Sequence, residues 1–211
     1  MPRIHQRIAD GSLVAERIGS QWVVDERSLL HIQERSKAGR PHSARSAWAV
    51  IAASEDGKQT VCLVELKARF DEHRNIEWSR ALERSGVHVV YGFPNLKIHA
   101  KATLVIRREG DVLRRYAHVG TGNYHTMNAR SYEDFGLFTA DPEIAADVAD
   151  LFNYLTGFGR PQRFRKLLVA PWTLRSRLID EIRAVAETAS AGKKGRIRIK
   201  VNALTDQAII E

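Results

Sequence analysis

Apolar residues fall along this chain in short runs broken by turn-formers, and the runs alternate with stretches of helical spacing. Val61-Cys62-Leu63-Val64 with Leu66 is a continuous run. It predicts a strand over Thr60–Leu66 buried on both faces, as strands of parallel sheets are. Asp71 or Asn75 is placed to cap a helix reaching about Ser85. Ile76, Ala81 and Leu82 lie on one side of it, and Gly86 ends it. Val87–Tyr91 is the next strand. Strand, helix and strand in that order predict a right-handed βαβ unit and a parallel sheet. Upstream, Ala47–Ser54 reads as the end of a helix and Glu55-Asp56-Gly57-Lys58 as a turn. Before Ala47 the periodicity fades. Gln21–Glu26 fits either a strand or part of a short helix, and Ser36–Ser46 is basic, polar and turn-rich.

Downstream, Ala102–Ile106 is β-prone and Arg107–Asp111 reads as a turn. Arg115–Val119 is then the returning strand of a hairpin. Phe135–Thr139 is a further apolar strand. Asp141 caps a helix with Pro142 in its first position, and Ile144, Val148, Leu151, Phe152 and Leu155 keep helical spacing to about Thr156, where Gly157 closes it. Gly157–Phe164 has the look of a linker. Leu167–Ala170 suggests a short strand, Leu174–Ser190 an amphipathic helix with Leu178, Ile182 and Val185 inward, and Gly192–Gly195 a turn. Ile197–Val201 alternates apolar and basic residues. The pattern is that of an α/β chain with a mostly parallel central sheet flanked by helices.

Composition narrows the setting. At 211 residues with 44% hydrophobic content, the chain has material for one compact domain or one and a half. A single cysteine, Cys62, excludes a disulfide framework and fits a reducing cytoplasm. No apolar run is long enough to span a bilayer, and the N-terminus lacks an apolar signal core. The expectation is a soluble cytoplasmic protein. The net charge of +8 is uneven: residues 158–200 hold twelve Lys or Arg against Asp180, Glu181 and Glu187, leaving the remainder close to neutral. Such a surplus suits a polyanion: nucleic acid, nucleotide or a phosphate polymer. Solvated helix faces account for it equally well.

The candidate chemistry lies in Leu96-Lys97-Ile98-His99-Ala100-Lys101 and Gly120-Thr121-Gly122-Asn123. His99 and Lys101 are two apart, so a strand would point both to one face. The predicted hairpin returns the second segment to the start of the first. A histidine can attack phosphorus and carry the group, and a lysine offsets charge on phosphate oxygens. Gly120 and Gly122 let backbone N–H groups approach an anion, and Asn123 adds a neutral donor. Arg69 falls just past the end of the Thr60–Leu66 strand, where ligands of open α/β sheets collect, and its guanidinium can clasp phosphate. A pairing of Arg69 with Asp71 or Glu72 is the plainer alternative. His118 reads as a strand residue and His125 as loop. Neither sits in a spacing that holds a metal.

His-Ala-Lys followed by Gly-Thr-Gly-Asn resembles the half-site of the phospholipase D superfamily. Val64–Glu72, Gly86–Gly92, Leu96–Lys101, Tyr116–Tyr124 and Leu137–Asp141 resemble segments of bacterial polyphosphate kinase, and the likeness is nearly continuous from about Ala47 to Glu211. The resemblance implies a phospholipase D-like half-domain over 47–157 and the beginning of a second, truncated domain of the same type over 158–211. Residues 1–46 have no counterpart, as if the N-terminus were unrelated or disrupted; the opening strand and first arginine of the family's site are not recognisable there. The implied activity is reversible transfer of the terminal phosphate of ATP to inorganic polyphosphate with Mg²⁺. His99 would become the phosphohistidine. Lys101 and Asn123 would serve catalysis; Lys101, Gly120, Gly122 and Tyr132 would bind substrate or nucleotide; Arg69 would belong to the magnesium–phosphate site. The implied partners are ATP or ADP and polyphosphate, with a homo-oligomer compatible and peripheral membrane association open to the full enzyme. A fragment without the second half-site is expected to have little kinase activity alone. Two alternatives stand beside this reading: an inactive remnant that binds polyphosphate or nucleic acid, and a dimeric phospholipase D-type phosphodiesterase.

Overall fold

The computed structural model describes residues 15–18, 21–24, 45–65, 72–93, 96–157, 159, 163–201 and 203–211. The chain divides into two compact units, residues 1–161 and 162–211.

The first unit contains the expected βαβ element. Strand β3 (Val61–Val64) pairs in parallel with β4 (His88–Tyr91), in the register Val61↔His88 to Val64↔Tyr91. Helix α2 (Glu72–Arg84) connects them. Asn75 is not its cap but lies inside it; its amide donates to the Glu65 carbonyl at 3.0 Å, fastening the helix to the end of β3. Asp71, the other candidate cap, lies outside the described residues. Gly86 ends α2 at φ +80°, a backbone region that costs a side-chain-bearing residue energy. Helix α1 (Arg45–Glu55) starts slightly earlier than its apolar pattern indicated. Ile51, Leu82 and Val87 form the core between these helices and the strand pair, with Val50, Cys62, Val64, Trp78, Ala81 and Val89 packed around them. Each of those three large side chains contributes about 1.5–3 kcal/mol by leaving water.

The remaining strands build a separate sheet in the order β1-β2-β7-β6-β5. β1 (Ala15–Ile18) pairs with β2 (Gln21–Val24), which pairs with β7 (Gly136–Thr139). β7 pairs with β6 (Val112–Gly120), and β6 with β5 (Lys101–Glu109). All four pairings are antiparallel. The expectation of a mostly parallel sheet therefore needs correction: among the described residues only β3 and β4 run parallel. The physical reason is the hairpin. Nine-residue strands joined by the two-residue turn Gly110-Asp111 must run antiparallel, and β7 follows β6 closely enough to do the same. β7 covers only Ala117–Gly120 of β6, so among the described residues the far half of the hairpin is a two-stranded ribbon with Val105, Ile106, Val112 and Leu113 exposed.

Helix α3 (Thr126–Ser131) follows the hairpin. Helix α4 (Pro142–Leu155) packs on β6 and β5 and buries Ala145, Val148 and Leu151. Its cap is as the sequence indicated: the Asp141 carboxylate accepts from the N–H groups of Glu143 and Ile144 at 3.0 and 2.9 Å.

In the second unit, helix α5 (Leu174–Ser190) has the expected span, and α6 (Gln207–Ile210) ends the chain. Phe164 is buried against Trp172, with near-parallel rings 6.3 Å apart. Leu167–Ala170 is not a strand. The Val169 carbonyl instead accepts from the N–H groups of Trp172, Thr173 and Leu174, which turns the chain directly into α5. No helix among the described residues is long and apolar enough to cross a membrane.

Candidate functional site

The hairpin register brings the two halves of the motif together. Lys101 stands directly across from Gly120, so the first residue of β5 faces the first residue of Gly120-Thr121-Gly122-Asn123. Thr103 and His118 follow as the next pair on the same face. The placement of the turn beside the start of β5 is as the sequence indicated.

His99 is not part of that strand. β5 begins at Lys101, and Lys97–Ala100 lead into it as irregular chain. The cause lies across the ladder. β6 ends at Gly120 and its ladder with β5 ends at Lys101↔Gly120, so residues before Lys101 have no ladder partner there; the Thr121 N–H donates to the other side, to the Phe135 carbonyl at 2.9 Å. The lead-in takes its anchor elsewhere. Glu65, just past β3, accepts the Ile98 N–H on Oε2 at 3.0 Å. Gly92 lies against the same carboxylate; a methyl group there would sit 3.3 Å from Glu65 Oε2 and 3.4 Å from Ile98 Cδ1.

His99 is exposed. The Lys101 ammonium, then partial burial, then Lys97 hold its imidazole below the usual histidine range. The ring is therefore mainly neutral at pH 7, with a lone pair on one nitrogen. A neutral imidazole beside a fixed ammonium can attack an electrophilic phosphorus while the cation offsets charge on the oxygens.

The glycine-rich turn is braced from the start of β7. The Thr121 hydroxyl donates to Asp134 Oδ1 at 2.9 Å and accepts the Phe135 N–H at 3.0 Å. Gly120 pairs with Gly136. Gly122 is buried and Asn123 exposed, and the Asn123 carbonyl accepts the His125 N–H at 2.6 Å. His125 in turn starts α3, where its carbonyl accepts the Ala129 N–H. Tyr132 follows α3 and is 64% exposed. Arg69 lies outside the described residues. Among the described residues no group of three or more His, Cys, Asp or Glu side chains could hold a metal ion.

Beneath the turn is a histidine for which the sequence suggested no role. His118 is 4% exposed, and its Nδ1 lies 2.7 Å from the Tyr124 hydroxyl, which also accepts from Thr103 Oγ1 at 3.1 Å. Its ring centroid is 4.6 Å from that of Phe138, the residue opposite it on β7. Burial pushes its pKa down to about 4. With a neutral ring, Tyr124 donates to Nδ1, and Thr103, Tyr124 and His118 form one chain joining β5, the turn and β6. Glu65 and His118 both escaped the motif reading. The available signals were weak: a carboxylate ending an apolar strand, and a histidine in a strand between a small residue and a valine.

Residues 42–161 match the polyphosphate kinase C-terminal domain 1, and residues 167–211 match the polyphosphate kinase C-terminal domain 2. A polyphosphate kinase of Streptomyces coelicolor is 54% identical over 163 residues, covering 77% of this chain and 22% of that protein. One of Mycobacterium tuberculosis is 57% identical over 167 residues, with the same coverage. Among solved structures, the polyphosphate kinase of Porphyromonas gingivalis superposes with a TM-score of 0.68 at 38% identity, over 79% of this chain and 28% of that one. The chain thus spans about 22% of the length of the curated relatives it matches.

Proposed function

Because this chain belongs to the polyphosphate kinase family, we propose that its hairpin site takes the terminal phosphoryl group of ATP onto His99 and passes it to inorganic polyphosphate. A neutral His99 nitrogen attacks the γ-phosphorus. The N–P bond forms as the P–O bond to ADP breaks, and ADP departs. A terminal oxygen of polyphosphate then attacks the phosphohistidine, the N–P bond breaks, and the polymer is longer by one phosphate. Each step runs in reverse when ADP is abundant. Lys101, Asn123 and the backbone of Gly120 and Gly122 offset charge on the oxygens in flight, which is where most of the catalysis of phosphoryl transfer arises. Tyr132 contacts the nucleotide. The observation that carries the reading is the placement of His99 two residues before Lys101, which is itself paired across the hairpin with Gly120.

Mg²⁺ enters as the companion of the nucleotide phosphates, whose charge it offsets, with Arg69 at that site; no step above depends on a metal held by the described residues. The proposed organisation is a phospholipase D-like half-domain over 47–157, with 158–211 opening a second one. The partners are ATP or ADP and polyphosphate, in a cytoplasmic setting. The exposed Arg196 and Arg198 favour a polyanion-binding contribution from the second unit as well.

The test is incubation with γ-labelled ATP and Mg²⁺. The reading expects an acid-labile, base-stable label on the protein that His99→Ala abolishes. Label that persists in the variant, or none in the wild type, defeats it.

A further inference from the structure

The residue that carries the chemistry lies outside the strand that would otherwise hold it still. His99 precedes β5, and the hydrogen-bond ladder with β6 ends at Lys101↔Gly120. Phosphoryl transfer to a side chain is sensitive to sub-ångström placement, so some other group must fix this backbone. Among the described residues, Glu65 reaches it from a position 33 residues away in sequence.

We propose that Glu65 is the positioning residue of His99, acting through the Ile98 amide; the proposal rests on the phosphohistidine reading above. Three contacts support it. Oε2 accepts the Ile98 N–H at 3.0 Å, one residue before His99. The Gly92 N–H donates to the Val64 carbonyl at 3.3 Å, so the loop leaving β4 is tied to the residue preceding Glu65. The Glu65 carbonyl accepts the Asn75 amide at 3.0 Å, so its own backbone is fixed to α2. The carboxylate is half-buried, with Gly92 close on one side and the Ile98 amide on the other. A side-chain carboxylate therefore does for Ile98 what a neighbouring strand would do inside a sheet. An acceptor of this length is required: aspartate is one methylene too short, and alanine leaves the amide with water as its partner. Glutamine keeps an acceptor oxygen at the same reach and gives up the charge assistance to the Ile98 N–H.

The experiment compares wild type with Glu65→Ala, Glu65→Gln and Gly92→Ala in three measurements: hydrogen exchange at the Ile98 amide, the rate of His99 labelling from γ-labelled ATP, and nucleotide affinity. Circular dichroism and the melting temperature report whether each variant is folded. The expected result for Glu65→Ala is at least tenfold faster exchange at Ile98 and at least tenfold slower labelling, with nucleotide affinity within twofold of wild type. Glu65→Gln restores most of both. Gly92→Ala, which crowds the carboxylate without removing it, moves both in the same direction as Glu65→Ala. Equal labelling by wild type and a folded Glu65→Ala overturns the proposal, whatever the exchange data show. So does a labelling loss shared equally by the alanine and glutamine variants. If wild type takes no label, the phosphohistidine reading has failed, and Ile98 exchange together with relaxation of the His99 ring decides the positioning role alone. Unchanged protection and ring mobility in Glu65→Ala overturn it; faster exchange and a freer ring uphold it.

Discussion

Lowering the pH from 7.5 to 4.5 should unfold this protein partly through one side chain, His118. Its imidazole is 4% exposed and set among Tyr124, Phe138 and Thr103, and burial depresses its pKa from 6.5 to about 4. A group whose folded pKa lies below its unfolded value binds its proton more tightly in the unfolded chain. Stability is therefore complete above pH 6.5 and drains away as the pH falls toward 4. Linkage puts the loss at about 1 kcal/mol by pH 5.5, growing to about 3 kcal/mol by pH 4.5 and below. Against the 5–15 kcal/mol stability of a typical domain, that is a large share. The assay is urea unfolding by far-ultraviolet circular dichroism at several pH values, on wild type and His118→Phe. The variant loses the Tyr124 hydrogen bond at every pH, so its absolute stability falls. What matters is the slope, because carboxylates and other histidines titrate alike in both proteins and cancel in the difference. The wild-type curve should drop about 2–3 kcal/mol more than the variant's between pH 7.5 and 4.5. Parallel curves, differing by less than about 0.5 kcal/mol over that range, would refute a buried neutral His118.

Further tests follow from the same structure. Lys101 is the largest cause of the lowered His99 pKa, so Lys101→Met should raise that pKa and move the acid limb of His99 labelling to higher pH; an unmoved limb speaks against this pairing. Thr121→Val removes both the donor to Asp134 and the acceptor of the Phe135 N–H. Both groups are partly solvated, so the expected cost is only about 1 kcal/mol of stability, with a larger proportional loss of labelling. Leu82→Ala, at the centre of the βαβ core, should cost about 2–5 kcal/mol by chemical denaturation, and a value under 1 would mean that core is loosely packed. Asp141→Ala deletes the α4 cap and should cost about 1 kcal/mol, recovered by Asp141→Asn.

The parts of the fold legible in the sequence are those set by neighbours along the chain. The β3-α2-β4 unit, the hairpin and the α4 cap each rest on residues within about thirty positions, and each shows a period, a turn or a cap in the sequence. β1 escaped, and β2 was left open between strand and short helix, because their strand character depends on β7, where Trp22 pairs with Phe138 across more than a hundred residues. The site divides in the same way. Lys101 and Gly120 meet because a hairpin returns on itself, and the sequence shows the hairpin. That His99 falls outside β5 could not be read locally, since it depends on where β6 stops offering partners. Glu65 was invisible for a related reason: a side chain accepting from a distant backbone N–H leaves no periodic trace.

The two-residue turn at Gly110-Asp111 works as the zero mark of a ruler. Nine residues of β5, at about 3.4 Å each, separate it from Lys101 by roughly 30 Å. The count along each arm decides which residue of β6 is set against the lysine. Were the strands to slip by a single position, Lys101 would lose Gly120 and every side chain of the moved arm would turn to the opposite face. A change at the exposed tip that shifts the register is thus a change of alignment at the Lys101 end, delivered with no contact between the two. Evolution can lengthen the loop only if the added residues stay beyond the Glu109↔Val112 pair, so the tip tolerates ornament but not miscounting.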